Sequence, residues 1–307
     1  MSTSGRGHAA LLAGWVDDAA VFPPGSSPLP QAWRDHRALR AGRYAGLLGP
    51  LLIGTSMAPG LVELLTGADG PAVAEEPTAL AVVARPGTRV EELLEAVDLL
   101  RGCPALRLVG VELAEPAPAD LDRVLDLAHR LGAGTAVELS RDAPASAFEA
   151  LAERAVRGGR ADEAGSPDHP PVLAKLRTQA TAGSPPPTPG ELARFLVRAY
   201  RAGLPVKLTG GLHRAVRHGT GADAEHGCLN VLVAAGELGR GADPDLDALV
   251  RILELRAPEP LVGAVQGWTP QDGDAARTLF RSFGCCGVLD PIGDLADLGL
   301  LTAPGLP

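Results

Sequence analysis

Two lysines stand inside otherwise apolar runs, Lys175 in Val172-Leu173-Ala174-Lys175-Leu176 and Lys207 in Pro205-Val206-Lys207-Leu208-Thr209. A strand of a parallel sheet is covered on both faces, so a lysine within one must pair, lose its proton or react. Side chains alternate along a strand: Lys175 shares its face with Leu173 and Arg177, and Lys207 shares its face with Thr209. Adjacent strands lie about 4.8 Å apart, close enough for each ammonium to disfavour the other, and desolvation pushes the same way. A neutral amine near pH 7 is what imine formation with a carbonyl compound requires. The alternative open to the same pattern is fastening, with either lysine paired to a carboxylate such as Glu138 or Asp17.

Other residues with chemical potential gather around these runs. Arg177 suits bidentate contact with a carboxylate, or an ion pair with Glu138 or Glu112. His213, His218 and His226 follow the second lysine run, and with Asp17, Asp18 or Glu138 they offer ligands to a divalent metal. Their spacing matches no compact ligand motif, so solvent-facing loop histidines are the expectation and no metal or cofactor is assigned. His213, nearest the strand end, remains available as an acid or base. Arg214 and Arg217 are candidates for a phosphate or simply solvated. Cys285 and Cys286 are adjacent, which suits an ordinary structural disulfide badly.

The elements that must position these residues read as a repeating strand and helix. Val16–Phe22, with Asp17 and Asp18 near its middle, is a first strand after a short helix at His8–Trp15. Leu51–Gly54, Ala79–Ala84, Leu106–Leu113, Thr135–Leu139, Val172–Thr178, Pro205–Thr209 and Ser282–Val288 follow, with amphipathic helices between them. Thr188-Pro189-Gly190-Glu191 has the form of a capped helix start. Gly158–Pro171 reads as a loop, Leu229–Leu238 and Leu246–Leu255 as helices inserted between strands seven and eight, Gly267–Gly273 as turns, Ala275–Phe280 as helical and Ile292–Leu300 as a last helix. With no Gly-x-Gly-x-x-Gly after the first strand, the pattern favours an α/β chain folded as a (β/α)8 TIM-type barrel spanning residues 1–307 as one domain. The carboxyl ends of the strands are then the functional face.

Composition bounds the partners. Hydrophobic residues make up 46% of the 307 residues and aromatics 3%, enough for a large aliphatic core. The formal charge of −9 argues against a nucleic-acid or anionic-membrane surface and for a small diffusing ligand. No secretory cleavage pattern or membrane span is read, and the four cysteines form no extracellular framework. A cytoplasmic protein is expected, and a homo-oligomer is compatible with everything above.

The segments Leu173–Gly183 and Pro205–Arg214 resemble the sixth and seventh strands of deoxyribose-phosphate aldolase and related class I aldolases. In that family one lysine, in a Lys-Thr-Ser-Thr-Gly strand, forms the Schiff base, and a second sits in a Phe-Lys-x-x-Gly-Gly-[Ile/Val]-Arg strand. Asp17-Asp18-Ala19-Ala20 stands where the family's first strand carries an acid. Ser282-Phe283-Gly284-Cys285-Cys286-Gly287 is similar to its last strand, Phe-Gly-x-Ser-Ser. The chain also resembles a bacterial group sharing Asp-Asp-Ala-x-Phe-Pro-Pro and Lys-x-Arg-Thr segments, here Asp17–Pro24, longer by one residue, and Lys175–Thr178.

The resemblance implies a class I aldolase or lyase acting through an imine on Lys175, with Lys207 as its pKa-lowering partner or proton relay. Asp17 or Asp18 and Glu138 are the candidate acids and bases. Arg177, Thr178, Thr209, His213, Arg214, Cys285 and the Gly210 and Gly211 amides are candidates for holding a small carbonyl substrate with a carboxylate or phosphate. The chain departs from the family in reading Lys175-Leu176-Arg177-Thr178-Gln179, which loses a hydroxyl beside the lysine, adds a guanidinium and suits a keto acid better than deoxyribose phosphate. Gly110 or Glu112 takes the place of the family's fourth-strand aspartate, depending on register. Two alternatives stay open: a non-catalytic barrel that binds an anionic metabolite, and a metal-dependent lyase using the loop histidines.

Overall fold

A computed structural model of the chain describes residues 11–67, 76–158, 171–181, 183–241 and 244–301. Eight parallel strands close into a barrel in sequence order: β1 (Val16–Asp18), β2 (Leu48–Gly54), β3 (Thr78–Ala84), β4 (Leu106–Ala114), β5 (Gly134–Glu138), β6 (Val172–Arg177), β7 (Val206–Thr209) and β8 (Phe280–Cys285). The helices between them are α1 (Leu29–Arg40), α2 (Ala58–Thr66), α3 (Val90–Arg101), α4 (Pro118–Leu131), α5 (Ala145–Gly158) and α6 (Pro189–Arg201). The insert between β7 and β8 contains α7 (Cys228–Arg240), α8 (Leu246–Glu254), α9 (Pro258–Gln266) and α10 (Pro270–Leu279), and α11 (Leu289–Asp297) follows β8. The fold is the (β/α)8 barrel that the strand and helix alternation calls for.

Period-two alternation sorts the strand residues cleanly. Outward positions such as Ile53, Leu80, Val82, Val111, Leu176, Leu208 and Phe283 are buried and apolar, and make the core between barrel and helices. Inward positions are mostly small or charged: Ala81, Gly110, Ala136 and Gly284 alternate with Asp17, Glu112, Glu138, Lys175 and Lys207, with Leu52 and Leu173 among the larger apolar exceptions. Barrel lumens are ordinarily packed with layers of branched aliphatics. Here the small residues leave space and the charged ones cross it.

The capped helix start appears as read: the Thr188 side chain accepts a hydrogen bond from the Glu191 N–H, and Glu191 Oε2 accepts from the Thr188 N–H at 2.6 Å. The same device opens α10, where the Thr269 N–H donates to Asp272 Oδ2 at 2.8 Å. Helix α10 therefore begins inside the stretch read as turns, and α9, opened by Pro258, is a helix that the sequence reading does not contain. Strand β8 runs Phe280–Cys285, not Ser282–Val288, because Arg277 to Leu279 end a helix that feeds straight into it. Strand β1 stops at Asp18, where the chain turns toward Phe22-Pro23-Pro24. Most of the expected Gly158–Pro171 loop, and His8–Ala10 of the expected first helix, lie outside the described residues. No helix among the described residues is long and apolar enough to cross a membrane.

Candidate active site

Register brings the site together. Glu138 pairs with Lys175, Lys175 with Lys207, and Lys207 with Ser282, so one rung of the barrel carries an acid, two lysines and a hydroxyl across β5 to β8. Glu112 reaches in from β4 and bridges both lysines: Lys175 Nζ lies 3.0 Å from Glu112 Oε2, and Lys207 Nζ 2.5 Å from Glu112 Oε1. Lys175 also meets Glu138 Oε2 at 3.2 Å, and Arg177 Nε lies 3.6 Å from Glu138 Oε1. On the other side Lys207 pairs with Asp17, which accepts a further bond from Ser282 Oγ at 3.0 Å. The result is a line of alternating charge across the lumen, Asp17–Lys207–Glu112–Lys175–Glu138–Arg177.

Burial sets the energetics of this line. Glu112, Lys175 and Lys207 are 2%, 3% and 5% exposed. Desolvation alone would push the Glu112 carboxyl up, but the charges of Lys207 and Lys175 outweigh it and hold it down at about 2. Desolvation would likewise lower Lys207, and Asp17 and Glu112 together raise it above the usual lysine range instead. Asp17 is the member for which burial wins, leaving its carboxyl above the usual aspartate range despite Lys207. The sequence reading expects two ammonium groups in neighbouring strands to depress a lysine. The shared carboxylate reverses that sign at Lys207, which stays cationic.

The charged line separates two cavities. The upper one, about 380 Å³, opens at the carboxyl ends of the strands and is bordered by Lys175, Glu112, Glu138, Arg177, Thr209 and Cys286 among others. The lower one, about 910 Å³, opens at the amino ends and is bordered by Asp17, Lys207, Glu112, Ser282 and residues of α9 and α10. The larger space is at the face where barrels keep stability rather than chemistry. The smaller cavity holds Lys175 and the strand-end loops and is the candidate site.

The loop after β7 shapes its mouth. Gly210, Gly211 and Leu212 take φ of 72°, 75° and 60°, three successive left-handed residues. A Cβ at Gly210 would lie 2.8 Å from that of Gln179, so only glycine allows this approach. The run turns His213 into the cavity, where its Nδ1 lies 2.9 Å from Glu225 Oε2 and its Nε2 3.1 Å from Cys286 Sγ. Thr209 Oγ1 is buried there without a hydrogen-bond partner among the described residues.

Several sequence candidates lie elsewhere. Asp18 points away from the lumen to His36 Nδ1 at 2.9 Å, since consecutive strand residues take opposite faces. Cys285 is 1% exposed on the outward face of β8, its thiol pushed up by burial, and its neighbour Cys286 lines the cavity. Arg214 pairs with Asp294 of α11 at 3.1 Å, outside the cavity. Thr178 is buried and spends its hydroxyl on the Gly210 carbonyl, tying β6 to the β7 loop. His226 donates from Nε2 to the Pro187 carbonyl at 2.7 Å, and no group of three His, Cys, Asp or Glu among the described residues is arranged to hold a metal. Glu112, which the sequence offers as a partner for Arg177 or, with Gly110, in the place of a fourth-strand acid, faces inward, as does Cys286, which the sequence leaves unassigned and whose signal is the inward parity it shares with Ser282. Glu225 joins through the His218–Glu225 bridge between loop segments and left no such trace.

No protein-family model matches the chain, and no curated protein or solved structure matches it.

Proposed function

We propose that this barrel is a Schiff-base lyase of the class I aldolase type, acting on a small carbonyl substrate that carries a carboxylate or phosphate. One observation carries the reading: Lys175 Nζ lies at the floor of the upper cavity between Glu112 and Glu138, with Arg177 above it. Glu112 and Lys207 form a fixed ion pair beneath, so the proton that must leave Lys175 goes to Glu138, the carboxylate nearer the mouth. The freed amine attacks the carbonyl carbon, a C–N bond forms, and the carbonyl oxygen leaves as water once Glu138 returns the proton. Lys207 then acts as a buried positive charge near the imine rather than as a proton donor. In this reading Arg177 and the Gly210 and Gly211 backbone hold the anionic group of the substrate, which accords with the resemblance of these two strands to class I aldolases.

A second reading has one observation in its favour. Lys175 has two carboxylates within ion-pair distance, which suits a barrel that binds an anionic metabolite without covalent chemistry. Borohydride reduction in the presence of glyoxylate, pyruvate or small phosphorylated aldehydes, followed by peptide mass spectrometry, separates the two. The lyase reading expects a reduced adduct on Lys175 that disappears in Lys175→Met and forms more slowly in Lys207→Met. An absence of adducts across the carbonyl panel, with the protein folded, leaves the binding reading.

A further inference from the structure

We propose that Cys286, His213 and Glu225 form a second nucleophilic centre in the wall of the upper cavity, which captures a small aldehyde on the Cys286 sulfur. The three groups have the relations a nucleophile needs. Cys286 Sγ is 3.1 Å from His213 Nε2, and His213 Nδ1 is held by both oxygens of Glu225, at 2.9 and 3.2 Å. Cys286 is free, partly exposed and lines the cavity, whereas Cys103, Cys228 and Cys285 are free and buried. The left-handed run before His213 fixes the imidazole. The turn after β1 closes in from the other side: a Cβ at Gly25 would come within 3.0 Å of the Cys286 Cβ, so glycine there lets the backbone approach the sulfur side chain. This gives the Phe22-Pro23-Pro24-Gly25 segment a place that the lysine chemistry leaves empty.

Electrostatics support the geometry. The hydrogen bond from His213 draws the Cys286 thiol below its usual range against the effect of burial, and the bonds to Cys286 and Glu225 push His213 up to about 10. Both shifts favour a thiolate facing an imidazolium over the neutral pair. The other titratable groups near it are His218, 3.9 Å from Glu225, the buried Cys285 thiol, and Asp290, whose carboxylate lies beside Gly287. In the capture step Sγ forms a bond to the carbonyl carbon, the π pair moves to the oxygen, and that oxygen takes the proton from His213 Nε2. The product is a neutral thiohemiacetal and no oxidant is required. A cavity of about 380 Å³ with Arg177 on its border suits an aldehyde of a few carbons bearing a carboxylate.

The centre does not depend on imine chemistry, and its test is kept apart from it. The protein is alkylated with iodoacetamide, which forms a C–S bond and releases iodide, and the four cysteines are read by mass spectrometry. Cys286 is expected to be labelled about tenfold faster than a free thiol at about pH 6.5, with a rate that rises less steeply toward about pH 9 than a free thiol's. His213→Asn and Glu225→Gln should restore the steep pH dependence of an ordinary thiol. Glyoxylate should slow labelling equally in the wild type and in Lys175→Met, which has lost the imine-forming lysine. A Cys286 rate in the wild type that climbs with pH like a free thiol overturns the proposal whatever the variants do. So does protection that is missing from the wild type or lost in Lys175→Met, since the latter places the aldehyde on the lysine.

Discussion

Asp17 and Asp18 are consecutive, and their carboxylates lie on opposite sides of the barrel wall: Asp17 meets Lys207 in the lumen, while Asp18 accepts the Ala20 N–H at 3.1 Å and meets His36 of α1 at 2.9 Å. The two should therefore fail differently. Asp18→Ala strands buried partners on α1 and in the following turn, and is expected to lower unfolding free energy by about 2 kcal/mol or more. It should leave Cys286 alkylation and Lys175 trapping unchanged. Asp17→Asn touches only the lumen and should slow trapping at Lys175. Urea unfolding and the two labelling assays on both variants check the division.

Glu112 is the hinge of the charged line, and its removal leaves two buried ammonium groups without their common counter-charge. Glu112→Gln is expected to cost about 3–5 kcal/mol in urea unfolding. Lys207→Met should cost less in that background than in the wild type, with a coupling of about 1 kcal/mol or more in the double-mutant cycle. Equal costs in both backgrounds would mean that the bridge adds nothing beyond burial.

The barrel was legible because two periodicities agree along most of the chain: apolar strands of alternating parity, and amphipathic helices punctuated by proline and glycine. What escaped reading depends on distance rather than local pattern. Glu112 sits in an apolar strand like Lys175, but its role follows from the β4–β5–β6–β7 register, which places it between two lysines. The choice of Cys286 over Cys285 turns on the pairing of Ser282 with Lys207, which puts Ser282, Gly284 and Cys286 on the inward face. The Thr269-Pro270-Gln271-Asp272 start of α10 repeats the Thr188-Pro189-Gly190-Glu191 pattern with aspartate for glutamate, so the signal was present. Glu225 could not have been found this way, since only the folding back of the loop brings it to His213.

His226 gives a pH prediction with a definite sign. It is buried, donates from Nε2 to the Pro187 carbonyl and accepts from Arg217 at Nδ1, and desolvation lowers its pKa to about 4. The unfolded chain binds this proton near the usual histidine value of about 6.5, so the neutral imidazole stabilises the fold above that pH. The contribution is lost as pH falls from about 6.5 to about 4 and amounts to about 3 kcal/mol. Glu112 adds its own loss only below about 4.5, and His213, whose pKa is raised, weakens the fold only as pH rises above about 6.5. Asp17, whose carboxyl is raised, works in the opposite direction in both proteins, so the check is the difference: the urea midpoint of the wild type relative to His226→Gln should fall steadily from about pH 7 to about pH 4.5.

Gly49 shows how a backbone position serves the charged line. A Cβ there would fall on Asp17 Oδ1, whereas one at Gly46, three residues earlier, would meet nothing within 4 Å. Asp17 cannot yield, because moving its carboxylate breaks the contacts with Lys207 and Ser282. Gly49→Ala is thus expected to destabilise by about 1–3 kcal/mol through overpacking, and Gly46→Ala to stay within about 0.5 kcal/mol of wild type. If the carboxylate is the obstacle, Gly49→Ala should cost much less in an Asp17→Ala background, where the space is empty and Lys207 has already lost that partner. The urea midpoints of the four proteins in that cycle decide it, and an undiminished cost in the Asp17→Ala background would locate the strain in the β2 backbone instead.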